Sequence, residues 1–285
     1  MRRSLLPMVL LALCPAHSAS ARIVYLAVSD GTWQIWQMQL DGRRARQVTR
    51  GTADVARISC AADGNRILAT TNQGRLEVVD AATGAVTPLA VPASLVLDGA
   101  ISPDGSRIAF SFARADSIDA NDLFVIGLDG TGLRKVFGLP ALQHEPAWSR
   151  DGRWLYFASG DGGAAHDLWR VNMDDGSGEQ LTVSARYNFD VATGPDDVFV
   201  FSSNRSGDYE LWMARPKATP VRLTEHPGLD ARPSVSTDGR DIVYERVDDG
   251  VSNVWRLPVN SRKPVQLTRT REGARGPVWC GGSRR

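Results

Sequence analysis

The chain has 285 residues, of which 42% are hydrophobic and 23% charged, a composition that excludes intrinsic disorder and a polytopic membrane protein. Lys and Arg number 33 against 32 Asp and Glu, so no net field points to nucleic acid or to an anionic membrane. Three Cys exclude a disulfide-built scaffold and a thiolate zinc cluster, whereas 27 Gly and 8 Trp are high and point to many turns and short strands.

Residues 1–21 read as a secretory signal. Arg2 and Arg3 form the positive head, Leu5 to Leu13 an apolar stretch too short to span a bilayer, and Ala19-Ser20-Ala21 a cleavage site. Leu13 stands before Cys14 where a lipidated cysteine needs a small residue. Arg2-Arg3-Ser4-Leu5-Leu6 has a twin-arginine outline but almost nothing before it, so ordinary Sec export is expected. Cleavage after Ala21 leaves residues 22–285, with no later stretch apolar enough to serve as an anchor. The expected product is a periplasmic or secreted monomer in a compartment that permits disulfides.

From residue 22 onward one unit is written six times. Its first anchor is an apolar or aromatic pair: Ile35-Trp36, Leu123-Phe124, Leu168-Trp169, Leu211-Trp212 and Val254-Trp255, degenerate as Leu76-Glu77 in the second unit. About a dozen residues later comes a second: Gln47-Val48-Thr49, Thr87-Pro88-Leu89, Arg134-Lys135-Val136, Gln180-Leu181-Thr182, Arg222-Leu223-Thr224 and Gln266-Leu267-Thr268. The third is a tight turn at Asp63-Gly64, Asp104-Gly105, Asp151-Gly152, Pro195-Asp196 and Asp238-Gly239. The pairs recur at steps of 41 to 47 residues, and the 264 residues after Ala21 divide into six units of 44.

Each unit reads as four short strands, with Asp-Gly supplying the positive φ of tight hairpins. In the fourth unit they are expected near 146–149, 154–158, 167–172 and 179–182. No sustained helical period follows residue 21. A four-stranded repeat in the low forties predicts an all-β fold, a six-bladed β-propeller. The first unit lacks an inner strand. Gly276-Pro277-Val278-Trp279-Cys280 matches Glu145-Pro146-Ala147-Trp148-Ser149 and is expected to supply it, closing the ring.

These phrases resemble the TolB-type propeller repeat, the PD40 relative of WD repeats. The likeness rests on Ile101-Ser102-Pro103-Asp104-Gly105-Ser106-Arg107-Ile108-Ala109-Phe110, on Pro146-Ala147-Trp148-Ser149-Arg150-Asp151-Gly152, and on the stretch from Phe201 to Trp212. It covers residues 22–285 and implies a periplasmic protein-binding propeller. TolB also carries an α/β domain and a partner-engaging segment before its propeller, and neither is expected here. The same repeat builds the propellers of prolyl oligopeptidase relatives and of oligogalacturonate lyases. The peptidases need a further hydrolase domain, for which no room is expected.

No catalytic motif is found: no G-x-S-x-G, no H-E-x-x-H and no phosphate loop. No cofactor and no metal is expected. His17 falls in the signal, His166 in a Gly-rich loop expected to be peripheral, and His226 in a loop away from the axis. His144, just before an inner strand, is the residue on which the alternative reading rests, a polysaccharide lyase with a divalent metal in the channel. Asp174-Asp175-Gly176 and Asp248-Asp249-Gly250 are expected hairpin turns, not calcium loops. Trp36, Trp169, Trp212 and Trp255 recur at one blade position and are expected packing residues, as are Trp33 and Trp154.

Cys60 and Cys280 sit on the inner strands of neighbouring blades. A disulfide there would staple the closure. Two free thiols are the alternative, because Cys280 is offset by one from the Trp148-equivalent position and the Cβ atoms then point apart. Aligning the units places Arg57, Asp98, His144 with Glu145, Asp190, Arg232 and Arg275 around the channel mouth, with Tyr187 and Asn188 beside them. Acids fill one arc and arginines the other, which suits a protein or peptide partner in the cell envelope and not a nucleic acid. Pairing of these charges with one another is the competing expectation.

Overall fold

The computed structural model describes residues 21–91, 95–114, 117–139, 141–160, 165–183 and 186–282, with the side chains of 113–120 left aside. The signal peptide expected at residues 1–21 lies, apart from Ala21, outside the described residues. Six antiparallel four-stranded sheets make up the chain, arranged as a six-bladed β-propeller. Among the described residues there is no helix, and so none long and apolar enough to cross a membrane.

Blade one is assembled from both chain ends: its inner strand Ala274–Cys280 pairs antiparallel with Arg22–Ser29, which continues into Thr32–Met38 and Arg46–Gln47. The other five blades are contiguous, with inner strands Val55–Cys60, Val96–Ile101, Leu142–Trp148, Asn188–Thr193 and Leu229–Val235. In blade four the remaining strands are Trp154–Gly160, His166–Asn172 and Gly178–Gln180, within a few residues of the sequence expectation.

The repeated phrases have local physical causes. In the turn after the inner strand, Ser102, Ser149 and Ser236 donate Oγ–H to the Asp two residues on, and accept the N–H of Arg107, Trp154 and Asp241. The following Gly105, Gly152 and Gly239 have φ near +70°, open to glycine at no steric cost. The Thr that ends the second anchor joins the third and outer strands. Thr49, Thr182, Thr224 and Thr268 accept the N–H of Ile35, Leu168, Leu211 and Val254. Each donates in turn to a side-chain oxygen, of Gln34, Asp167, Glu210 and Asn253. Asp174-Asp175-Gly176 and Asp248-Asp249-Gly250 form the hairpin turns expected of them.

The core is a ring rather than a centre. Six clusters of buried apolar side chains each lie between neighbouring blades, such as Leu68, Val96, Ile108 and Phe110 between blades two and three. Trp36, Trp169, Trp212 and Trp255 pack against four of these clusters. Cys60 and Cys280 are joined as a disulfide, with Cα atoms 5.6 Å apart and 220 residues between them in sequence. It ties the inner strands of blades one and two beside the ring closure.

Candidate functional site

The six inner strands surround a central channel whose cavity has a volume of about 460 Å³. Each inner strand is irregular near its middle, where the register with the second strand shifts. At the equivalent place the blades carry Gly276, Arg57, Asp98, Glu145, Asp190 and Arg232. Four of these, Glu145, Asp190, Arg232 and Gly276, have φ between 49° and 58°. A left-handed residue at a bulge turns its side chain and its N–H out of the sheet pairing.

The freed N–H groups are captured blade to blade. Asp98 accepts from Glu145 N at 2.7 Å, Glu145 from Asp190 N at 2.6 Å, and Asp190 from Arg232 N at 3.2 Å. The series would stop at Arg232, which cannot accept. Glu245, on the second strand of blade six, takes over and accepts from Gly276 N at 3.2 Å. Each link satisfies a buried donor with a charged acceptor, the stronger kind of hydrogen bond.

Arg57 reaches across the channel from blade two. It donates to Glu145 of blade four at 2.5 Å and to Asp190 of blade five at 3.0 Å. Arg232 pairs with Glu245 at 3.0 Å, and Asp98 takes a short hydrogen bond from Ser111 Oγ. Side-chain exposure is 11% at Glu145, 5% at Asp190 and 31% at Arg57. The acid and basic arcs expected from the sequence are therefore bridged by an arginine.

Burial and neighbours set the protonation of these groups. Burial, and next the charge of Glu145, push Asp190 up to about 6, against the pull of Arg57 and Arg232. Burial also raises Asp98, with Arg57 and Ser111 opposing. For Glu145 burial is again the largest influence and would raise it. Arg57 and His144 outweigh it and hold the carboxyl well below the usual carboxylate range. Burial alone would loosen the proton on Arg57, and the surrounding Glu145, Asp190 and Asp98 reverse that.

His144 lies beside this group, Nδ1 at 3.8 Å from Glu145. Its Nε2 is 2.9 Å from Nδ1 of His166, whose ring centroid in turn lies 5.2 Å from that of Tyr187. His166 is thus not peripheral, as its loop suggested, but part of the rim. The reason is register: His166 lies opposite Gly160, where a Cβ would come within 2.5 Å of the imidazole. With no side chain at Gly160, His166 folds toward the inner strand. His226 does lie away from this group, where it meets Asp248 at 2.9 Å. Among the described residues no three His, Cys, Asp or Glu are grouped to hold a metal ion.

The other rim residues are accounted for as follows. Asn188 is fully buried and bonded to Ser203, Arg205 and the His166 carbonyl. Arg275 precedes the ring position, which falls on Gly276, and its guanidinium stacks on Trp33 at 3.9 Å. Sequence reasoning missed Glu245. The signal was an acid directly after the apolar run Ile242-Val243-Tyr244 of a second strand.

The model of the TolB beta propeller domain matches residues 18–282. The chain belongs to the TolB β-propeller family. It is 30% identical over 132 residues to the Tol-Pal system protein TolB of Anaeromyxobacter dehalogenans, covering 45% of this chain and 30% of that one. The chain therefore spans under a third of the curated TolB relatives it matches. The crystal structure of TolB from Acinetobacter baumannii superposes with a TM-score of 0.75 at 17% identity, over 92% of this chain and 67% of that one. An oligogalacturonate lyase in complex with manganese shares the fold at a TM-score of 0.63 and 16% identity, over 86% and 73%.

Proposed function

We propose that this propeller is exported through a signal peptide at residues 1–21 and acts in the periplasm as a non-enzymatic protein-interaction module. A protein or peptide of the cell envelope docks on the face that carries the inter-blade loops. What supports the reading is the cross-braced ring of Arg57, Asp98, Glu145, Asp190 and Arg232 under that face, within a family whose named relatives include a Tol-Pal system protein. The ring spends its charges on holding the blades rigid. Arg275 and Tyr187, with His144, are left at its edge to meet a partner, and loops on a rigid scaffold are where such a protein carries recognition.

Affinity capture from a periplasmic extract tests this. Arg275→Glu reverses a charge on the loop face, and Arg240→Glu does the same in an exposed turn on the opposite face. Loss of the captured protein with the first variant and its retention with the second is the expected pattern. Equal capture by both removes the loop face from consideration.

A further inference from the structure

The two mouths of the channel are each spanned by one arginine, and the two are treated oppositely. On the loop side Arg57 meets two carboxylates. On the side of the Asp-Gly turns the six equivalent positions are Ala62, Pro103, Arg150, Pro195, Thr237 and Gly281, of which only Arg150 is charged. Arg150 crosses from blade four to blade six and donates Nη2–H to the carbonyls of Val235 at 2.9 Å and Ser236 at 2.6 Å. Among the described residues its Nε is buried without a partner, and it makes no ion pair. Burial makes the charged form costly here, with only the field of Asp238 in its favour. Asp238 itself is occupied by Ser236 Oγ and Arg240 N.

With Nη2 held by two carbonyls and Nε buried, Nη1 is the nitrogen this guanidinium can offer the cavity it lines, and a charged donor with no carboxylate on it among the described residues suits an anionic ligand. The cavity it lines, about 460 Å³, falls in the range of small-molecule sites, roughly 300–1,000 Å³. Beyond Arg150 the lining is largely apolar, with Ile58, Ala100, Pro146, Val191, Pro233 and Val278 among its residues. At the far end the acids Asp98, Glu145, Asp190 and Glu245 outnumber the cations Arg57 and Arg232. That end repels an anion and so fixes which way round it lies.

We propose that the channel binds a small organic carboxylate with a narrow apolar body, entering by the turn-side mouth with its carboxylate on Arg150. This site is separate from the loop face and does not depend on a protein docking there.

Calorimetric titration of the full chain with 4-phenylbutyrate, 4-phenylbutyramide and 4-phenylbutylamine tests it. The carboxylate is expected to bind, the amide about ten- to a hundredfold more weakly, and the amine not at all. Arg150→Met is expected to erase the preference for carboxylate over amide. Should that variant fail to fold, Arg150→Lys keeps the charge on one ammonium that cannot both hold the Val235 and Ser236 carbonyls and reach a ligand as the guanidinium does, and a reduced preference is expected. No heat with 4-phenylbutyrate, equal affinity for the amide, or an undiminished preference in either folded variant overturns the proposal.

Discussion

Arg57→Met removes the one cation shared by three buried carboxylates while leaving a side chain of similar length. The wild-type guanidinium satisfies Glu145 at 2.5 Å and Asp190 at 3.0 Å, and both acids keep little solvent contact. Taking one partner from a buried ion pair costs roughly 3–5 kcal/mol. Because 31% of the Arg57 side chain is exposed, the low end applies, about 3 kcal/mol. For a domain of this size that corresponds to a fall of roughly 6–12 °C in Tm. The deficit also carries a pH signature. Without Arg57, Asp190 and Asp98 rise further above their already raised positions. The folded variant then binds protons that its unfolded chain releases, so its stability falls more steeply as pH rises. Thermal unfolding at pH 5 and pH 8 measures both quantities. A loss below about 1 kcal/mol, or a loss equal at the two pH values, refutes the reading of Arg57 as the channel's brace.

Two further outcomes are expected. Unmodified protein loses stability in two steps as pH rises: Asp190 loses its contribution between its ordinary 3.8 and about 6, and the raised His144, fully contributing below 6.5, loses its own as pH passes through its folded value above that. His144→Gln flattens the upper step alone, and a Tm that instead rises with pH above 6.5 contradicts the assignment. For the disulfide, intact mass rises by two hydrogens on reduction. Cys60→Ala destabilises by up to about 5 kcal/mol in the chain-entropy model for a closure of this length, and a mass unchanged by reductant removes the bond.

The fold was legible because its signals are local. Ser-x-Asp-Gly closes its own turn, and the Thr of the second anchor bonds within its own blade. Neither needs knowledge of the rest of the chain. The ring was legible only in part, because its bonds join residues 31 to 133 apart. Counting back from each inner strand found Arg57, Asp98, Glu145, Asp190 and Arg232. It could not show that a left-handed φ turns the N–H of Glu145, Asp190, Arg232 and Gly276 toward the previous blade's carboxylate. The same count slipped by one residue in blade one, giving Arg275, since a ring position without a side chain leaves no trace in a search for charges. His166 was misplaced for the opposite reason: its position depends on the empty side of Gly160, on the strand between it and His144.

The pairing of charges inside the ring changes what kind of recognition this mouth can support. Glu145 and Asp190 each accept a backbone N–H and a guanidinium. A partner that competed for them would have to break bonds between blades, and the cost would cancel what it gained. On the docking face proposed above, recognition would therefore fall to groups the ring leaves in surplus. Arg275 is one of these: among the described residues it makes no salt bridge, burial and Arg232 oppose its charge while Glu245 and Asp54 attract it, and it is held by the indole face of Trp33. Arg150 is the corresponding surplus at the other mouth. The two faces of the propeller thus offer cations of similar chemistry at different depths, one at an open rim beside aromatic rings and one at the end of a cavity. A protein segment suits the first and a small carboxylate the second, so ligands of the two sites are expected not to compete.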